Sequence, residues 1–391
     1  MNEAHPHITW TDNEGQAQQA RWLSLAGHPP PKRVRVVDDS LNADAAYKLA
    51  CEGTGLLWVG DFHNARQLLQ ALGRRIDSKA ERGAKRGAGI AKPAAHLKDA
   101  FHAHRQAQAL RARVLGMLLL PFESDHGVPL RRAPDVRQAG LEAHGAMAEH
   151  YVASLRELQG LIGAFEWRKK GVEIPALKDR IHPHHGVFSP VRGEYVELVA
   201  QAPLPAASKN AGAFDIGTGT GVLAAVLARR GVKPLQATDL DPRALACAQD
   251  NLARLGLAER VKLVQADLFP KGKAGLIVCN PPWVPARPSS PLESAVYDPD
   301  SAMLRGWLAG LAAHLAPGGE GWLILSDLAE HLGLRSRDEL LGWIHDAGLQ
   351  VLGRLDTRPA HRRAADTSDP LHAARSAEVT SLWRLGAMTR P

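Results

Sequence analysis

The chain has few cysteines and no long apolar segment. Its three cysteines, Cys51, Cys247 and Cys279, are odd in number and lie far apart, which matches neither a disulfide framework nor the paired spacing of a zinc site. The longest apolar run, 114–122, is too short to cross a bilayer and is typical of a buried strand. The amino terminus shows no basic region leading into an apolar run. We therefore predict a cytoplasmic protein without a metal centre and without a membrane-spanning segment.

Three histidines near the middle of the chain are the one cluster that invites a metal assignment. His182, His184 and His185 surround Pro183, a spacing that does not place them on one helix face, and no pair of carboxylates or cysteines accompanies them. A lid or linker role is the better prediction for this segment.

Acidic residues are scarce in one part of the chain. The net charge is +7, and residues 74–98 hold eight Lys and Arg side chains against only Asp77 and Glu81. Such a run is typical of a phosphate-binding surface, and it is equally typical of a solvated helix face. Charge alone does not decide between these two interpretations.

The pattern of strands and helices divides the chain into three regions. At 391 residues the chain exceeds what one hydrophobic core usually organises. Residues 1–135 alternate short apolar runs with helical spacing, which predicts an α/β domain, and we assign substrate recognition to it. Residues 136–180 carry apolar side chains at helical intervals and predict one long connecting helix. Residues 181–391 alternate strands and helices, which predicts a largely parallel sheet covered on both faces.

A glycine-rich turn follows the first strand of the third region. Its glycines stand at alternate positions and open a helix, so that the backbone approaches a ligand where a Cβ atom would collide. The dinucleotide-binding spacing would need a glycine where this sequence has Val222. The turn therefore favours a nucleoside-type ligand without a pyrophosphate. The residues of this turn that we predict to bind the ligand are Gly217, Thr218, Gly219 and Gly221.

Acidic residues end the next two strands. Asp239 lies about twenty residues beyond the glycines, where a carboxylate accepts both hydroxyls of a ribose, and Leu240 follows it. Asp241 precedes a proline and is predicted to cap a helix. Asp267 ends the following strand beside Leu268. Taken alone, Asp267 is typical of a turn, but after the first two motifs we predict that it accepts from an adenine amino group.

The segment Asn280-Pro281-Pro282-Trp283 follows a fourth apolar strand. Its prolines remove backbone donors and stiffen the loop, which leaves the Asn280 side-chain oxygen and the Pro281 carbonyl as fixed acceptors. Two acceptors that converge on one –NH2 group aim its lone pair at an electrophilic methyl group, and positioning then supplies much of the rate. Trp283 would form a flat wall beside a planar amide or base. A tight turn with a core tryptophan is the alternative for this segment taken alone.

Together these four motifs resemble the class I methyltransferases of the small-domain group, which includes release-factor glutamine N5-methyltransferases and ribosomal RNA base N-methyltransferases. The resemblance covers about residues 181–385 and implies a Rossmann-like, seven-stranded domain that uses S-adenosyl-L-methionine. It implies that Asp215 and the glycine turn hold the methionine part of the cofactor, Asp239 the ribose and Asp267 the adenine, and that the Asn280–Trp283 loop holds the target nitrogen. The segment 186–190 resembles the one that covers the cofactor. Trp283 departs from the usual tyrosine or phenylalanine.

We therefore predict an enzyme that methylates a planar amino or amide nitrogen of a macromolecule. The basic amino-terminal region slightly favours an RNA base, whereas the Asn280–Trp283 loop and the segment 297–304 suit a protein glutamine at least as well. A non-catalytic module that binds S-adenosylmethionine is the alternative from another class, and the intact loop disfavours it. An NAD-dependent oxidoreductase is disfavoured by Val222.

Overall fold

A computed structural model describes residues 6–25, 27–87, 97–191, 193–288, 291–358 and 369–388. The chain divides into two compact units, one made of Met1–Ala95 with His102–Glu166 and the other of His96–Phe101 with Trp167–Pro391. No helix within the described ranges is long and apolar enough to cross a membrane.

The first unit contains a six-stranded mixed sheet, which confirms the predicted α/β character of this region. The strand order is β1-β2-β6-β5-β4-β3, and β3, β4 and β5 run parallel to one another. Its elements are β1 (His7–Thr11), β2 (Ala17–Trp22), β3 (Arg33–Val37), α1 (Ala43–Cys51), β4 (Thr54–Trp58), α2 (Phe62–Gly87), α3 (Leu97–Leu115), β5 (Leu118–Phe122), α4 (Arg137–His144), β6 (Tyr151–Ser154) and α5 (Leu155–Lys170). The first residues of α3 and the last of α5 belong to the second unit.

The prediction of one long connecting helix over 136–180 is wrong. The helix α4 ends at Gly145, whose φ is 71°, and the chain then enters β6, a strand in which all four residues are buried. Only after β6 does α5 begin. A short strand that is buried on both faces shows a continuous apolar run, which periodicity does not separate from a buried helix.

The second unit contains a seven-stranded sheet, as the sequence predicts. Its elements are β7 (Val172–Ile174), β8 (Asp179–Ile181), α6 (Glu194–Gln201), α7 (Ser208–Ala211), β9 (Ala213–Ile216), α8 (Val222–Arg229), β10 (Leu235–Asp239), α9 (Pro242–Arg254), β11 (Lys262–Gln265), β12 (Ala274–Cys279), α10 (Ala302–His314), β13 (Leu315–Ser326), α11 (Leu328–His331), α12 (Arg337–Asp346), β14 (Leu349–Thr357), α13 (His372–Ala377) and β15 (Thr380–Ala387).

The order of strands in this sheet reverses between β9 and β12, and the carboxyl edge at this point is here named the crevice. The order is β11-β10-β9-β12-β13-β15-β14, with β15 antiparallel to both of its neighbours and the other pairs parallel. After β9 the chain adds β10 and β11 on one side, then crosses to the other side with β12. Ligands of open α/β sheets bind at such a reversal, beyond the carboxyl ends of the strands.

The central strands are buried on both faces. Leu276 and Val278 of β12 pack with the apolar helix α8, whereas Ile277 and Cys279 pack on the opposite face with α10. Successive side chains of a strand point to opposite faces, so a near-continuous apolar run is the mark of a strand covered on both sides. The centre of the sheet is therefore a rigid base for the loops that leave its carboxyl edge.

A partly buried ion pair joins β13 to β15. Arg384 donates two hydrogen bonds to the Glu320 carboxylate, at 2.8 and 2.6 Å, and the Trp322 indole donates a third at 3.0 Å. Burial works against the ionised form of Glu320, but the hydrogen bonds from Arg384 and Trp322 outweigh it and lower the pKa of this carboxyl. Removing one partner of such a pair leaves an uncompensated charge inside the protein.

We expect Arg384→Met to lower the free energy of unfolding by about 3 kcal/mol, because Glu320 would lose its countercharge. The measurement is urea unfolding followed by circular dichroism. Arg254→Met is the matched control, since Arg254 forms an exposed 3.6 Å pair with Asp250, and its removal is expected to cost under about 1 kcal/mol. Equal losses of unfolding free energy in the two variants would contradict a structural role for the pair of Arg384 and Glu320.

Candidate active site

The glycine turn and the Asn280–Trp283 loop leave neighbouring strands at the crevice. Cys279, the last residue of β12, lies opposite Ile216, the last residue of β9. Asn280 and Gly217 therefore start adjacent loops at the same edge of the sheet. Thr238 lies opposite Ile216 on the other side, which brings Asp239 to this edge as well. The pairing of these three strands thus gathers residues that are more than sixty positions apart in the chain.

Asp215 is a buried acid beneath the glycine turn. Its Oδ2 accepts hydrogen bonds from the Thr218 hydroxyl at 2.7 Å and from the Ala224 backbone N–H at 3.0 Å. Its Oδ1 is also buried and has no hydrogen-bond partner among the described residues. A buried acceptor without a partner is costly, so this oxygen is suited to accept a donor from a ligand.

The three glycines of the turn all adopt left-handed backbone angles, with φ of 71° at Gly217, 54° at Gly219 and 81° at Gly221. A Cβ atom on Gly217 would lie 2.9 Å from the Met303 side chain, and one on Gly221 would lie 3.2 Å from Ala248. A Cβ on Gly219 would meet no atom of the described residues within 4 Å. Gly219 therefore borders open space, so its backbone is accessible at this edge of the sheet.

Asp239 connects the glycine turn to the next strand. Its Oδ2 accepts from the Gly219 N–H at 3.0 Å, and its Oδ1 accepts from the Asp241 N–H at 3.0 Å. Asp241 itself caps α9 by accepting from the Arg243 N–H at 2.9 Å, which confirms its predicted capping role. Leu240 between the two acids is 64% exposed and presents an apolar surface at the crevice.

Asp267 and Leu268 lie at the same edge, beyond β11. The backbone N–H of Ala266 donates to the Asp239 carbonyl, which places Asp267 next to the Asp239 segment, and the Asp267 side chain is exposed. Leu268 has a φ of 68°, and its carbonyl accepts from the Thr238 hydroxyl at 2.6 Å. This contact holds the loop that carries Asp267 against β10.

The Asn280 side chain has a partner that the sequence does not predict. The Trp283 indole N–H donates to Asn280 Oδ1 at 2.9 Å. Pro281 is buried, whereas Pro282 and Trp283 are half-buried. The predicted loop residues are therefore together at the end of β12, with Trp283 folded back onto Asn280.

Asp298 is a site residue that sequence reasoning missed. It is only 5% exposed, and its carboxylate accepts from the backbone N–H groups of Met303 and Leu304 at the start of α10. Its own N–H donates to the Val284 carbonyl at 2.9 Å. Asp298 thus ties the loop after Trp283 to α10, whose Met303 touches the glycine turn. Nothing in the local pattern around Asp298 distinguishes it from an ordinary turn residue.

The crevice concentrates negative charge. Burial raises the pKa of Asp215 to about 6 against the favourable hydrogen bonds of Thr218 and Ala224, and Asp239 adds to the rise. Burial also raises the pKa of Asp239. Burial, followed by the charges of Asp215, Asp298 and Asp239, raises the pKa of the Cys279 thiol. A cationic ligand would relieve this repulsion, because an opposite charge nearby favours the ionised carboxylates.

The three histidines around Pro183 have local partners. His182 contacts the Arg168 carbonyl at 2.6 Å, and His184 contacts Asp250 at 3.0 Å. Burial, then the charge of Arg243, lowers the pKa of His185. The adjoining Val187 packs on α9 against Ala244 and Cys247. Within the described ranges, no group of three or more His, Cys, Asp or Glu side chains is placed to hold a metal ion.

Comparison with known proteins shows the family of the second unit. The family model described as "Methyltransferase small domain" matches residues 178–331. The tRNA1(Val) (adenine(37)-N6)-methyltransferase of Shewanella loihica is 30% identical over 186 residues, which are 45% of this chain and 72% of that protein.

The chain belongs to the small-domain methyltransferase family.

Two release factor glutamine methyltransferases of this family are also similar. The protein of Cereibacter sphaeroides is 35% identical over 162 residues, which are 37% of this chain and 56% of that protein. The protein of Deinococcus radiodurans is 40% identical over 158 residues, which are 37% of this chain and 53% of that protein. The chain thus spans about half the length of these curated relatives. The relatives named here thus include an adenine and two glutamine methyltransferases.

The residues of the crevice fit S-adenosylmethionine, the cofactor predicted from the sequence and supported by the family match. The unpartnered oxygen of Asp215 and the acids around Cys279 suit a ligand that carries ammonium and sulfonium charges. Asp239 offers both carboxylate oxygens near the open face of Gly219. The sheet edge therefore offers carboxylates that suit the cationic methionine part and the ribose hydroxyls of this cofactor.

We expect the affinity for S-adenosylmethionine to fall as the pH falls through about 6. The pKa of Asp215 in the folded protein, about 6, lies above its ordinary value of 3.8, so the carboxyl is protonated below that pH and loses its attraction for a cation. The dissociation constant should rise about tenfold between pH 7 and pH 5, as a single ionisation requires. Isothermal titration calorimetry measures it.

Asp215→Asn is the control for this pH dependence, because its side chain is neutral at both pH values. The variant should bind more weakly at pH 7 and show a flatter profile. An unchanged dissociation constant of the unmodified protein between pH 7 and pH 5 would contradict the electrostatic role of Asp215.

Proposed function

We propose that the chain transfers the methyl group of S-adenosylmethionine to a planar –NH2 nitrogen of a macromolecule. The observation that carries the proposal is the position of Asn280 and Pro281 directly beside the glycine turn, at the reversal of strand order between β9 and β12. Acceptors for a target nitrogen and binding groups for a cofactor therefore share one crevice. The names of the relatives, which include adenine and glutamine methyltransferases, support a nitrogen as the acceptor.

Three groups of residues would hold the cofactor. Asp215 and the glycine turn are assigned to the methionine part, Asp239 to the ribose and Asp267 to the adenine. When bound, S-adenosylmethionine supplies a methyl group on a cationic sulfur, which a nitrogen lone pair takes in line while the electrons of the C–S bond stay with sulfur. The exposed Leu240 and the backbone of Leu268 would line the adenine side.

The Asn280–Trp283 loop would position the target nitrogen of the substrate rather than deprotonate it. Asn280 Oδ1 and the Pro281 carbonyl accept the two N–H bonds, which leaves the lone pair directed at the methyl group. Because Pro281 and Pro282 restrict the backbone, these acceptors lose little entropy when the substrate arrives. Trp283 adds an aromatic wall, and the proton of the methylated nitrogen leaves to solvent.

An RNA base is the substrate that we favour, and a protein glutamine is the second candidate. On α2, Arg74 and Lys79 are exposed, which supports a surface for phosphates. However, Arg75 pairs with Asp44 at 2.8 Å, so part of the basic run is neutralised. The release factor glutamine methyltransferases named above support the second candidate. In either case the relatives act on components of translation, which supports the cytoplasm as the compartment.

Transfer from radiolabelled S-adenosylmethionine into extract of a strain that lacks the gene tests the proposal. Label that nuclease removes identifies a nucleic acid, and label that protease removes identifies a protein. Cofactor binding by calorimetry without incorporation into either fraction would instead support a non-catalytic binding module.

We expect Asp239→Ala to weaken cofactor binding by about 1–3 kcal/mol, because it removes the hydrogen bonds proposed for the ribose hydroxyls. Calorimetry with S-adenosylhomocysteine measures the change. Asp356→Ala is a suitable control, since Asp356 lies on β14 and pairs with Arg354. Unchanged affinity in Asp239→Ala would remove this residue from the cofactor site.

We expect Asn280→Ala to retain cofactor affinity within about twofold and to lower methyl transfer at least about a hundredfold, because the loop would lose an acceptor that acts in the transition state. Calorimetry and label incorporation are measured on the same preparation. A variant with normal incorporation would show that Asn280 does not hold the target nitrogen.

A further inference from the structure

The hydrogen bond between Trp283 and Asn280 lies inside the proposed target loop. The indole Nε1 donates to Asn280 Oδ1 at 2.9 Å. Among the described residues, this is the hydrogen bond that the Asn280 side chain makes. The two residues are separated only by Pro281 and Pro282, whose rings restrict the connecting backbone. The contact therefore joins the proposed acceptor to an aromatic side chain of the same rigid loop.

The chemistry of the two groups makes this bond directional. An indole N–H only donates, whereas a carboxamide has an oxygen that accepts and a nitrogen that donates. If the carboxamide turned over, its –NH2 group would face the indole N–H, and two donors would oppose each other. The bond thus selects one of the two orientations of the Asn280 amide. It occupies one of the two lone pairs of the oxygen and leaves the other for a substrate N–H.

The indole is itself held in place. Trp283 is half-buried and packs against both apolar clusters of the central sheet, the one to which Val278 belongs and the one to which Leu323 belongs. The next residue, Val284, is bridged to Tyr297 and accepts from the Asp298 N–H. A donor anchored in this way orients its acceptor, because moving the indole would disturb the packing around it.

We propose that Trp283 is the positioning residue of this site and that its indole N–H fixes Asn280 with the oxygen toward the target nitrogen. The inference rests on the proposed function of the Asn280–Trp283 loop. It assigns to Trp283 a task that a phenylalanine at this position does not perform, because a phenyl ring keeps the aromatic surface but lacks the donor. It also accounts for the hydrogen bond from the Trp283 indole to Asn280, which apolar packing or stacking alone does not require.

The test compares Trp283→Phe in two backgrounds. With Asn280 present, we expect Trp283→Phe to lower kcat at least about tenfold and to leave the KM for S-adenosylmethionine unchanged, because the amide is free to turn. In the Asn280→Asp background, both oxygens of the side chain accept, so orientation no longer matters. There the same change should lower kcat less than about threefold relative to the single variant Asn280→Asp.

Trp167→Phe is the matched control for the loss of an indole, since Trp167 is 47% exposed and lies at the end of α5. It should leave kcat unchanged. Equal losses from Trp283→Phe in the two backgrounds would show that the tryptophan acts through its bulk and would overturn the proposal. An increase in kcat would overturn it as well, because the indole would then be blocking the acceptor.

A spectroscopic measurement tests the bond without any substrate. In protein labelled with ¹⁵N-tryptophan, the Trp283 indole proton is expected to exchange slowly with solvent and to shift on Asn280→Ala, but to stay protected in Asn280→Asp. An indole signal unaffected by Asn280→Ala would refute the orientation role whatever the activity. If the unmodified protein transfers no label while this signal behaves as expected, the proposed function fails and the bond between the two residues stands.

Discussion

Parallel pairing of β12 with β9 is the constraint on which the rest of the site depends. It sets Cys279 opposite Ile216, so that the loop of Asn280 and the glycine turn start side by side although β10 and β11 intervene in sequence. A shift of one residue in this register would turn every side chain of β12 to the other face. The alternation of Leu276 and Val278 on one face with Ile277 and Cys279 on the other prevents such a shift, because each set fills a different core.

The second constraint is electrostatic. Asp215 is buried with an unpartnered oxygen, and Asp239 and Asp298 lie close enough to act on the same Cys279 thiol. Acids gathered in this way destabilise one another unless something positive lies among them. Hydrogen bonds from Thr218, Ala224 and Gly219 offset part of this cost, and they connect the acids to the backbone of the turn and of α8. The same contacts therefore shape the backbone and keep the charge available for a cationic ligand.

The family match ends at residue 331 and begins at residue 178, so the first unit lies outside it. That unit has its own sheet of six strands and its own apolar cores. The relatives differ in substrate, since one is named for an adenine and another for a glutamine. Membership of the family therefore does not by itself decide the substrate.

The sequence by itself determined the class of the second domain, and it predicted the motifs that the structure brings to one edge of the sheet. Glycines at alternate positions, acids at strand ends and two adjacent prolines are local signals, because the backbone conformation that each requires depends on nearby residues alone. Periodicity failed between 136 and 180, since Tyr151 of the buried strand β6 falls at helical spacing with Leu155 and Leu158 of α5. Only the tertiary structure decided that Asp298 connects α10 to the residue after the Asn280–Trp283 loop. It also decided that the Trp283 indole faces the Asn280 oxygen. Both depend on how separate segments pack and on which way a donor points in space, and spacing along the chain carries neither.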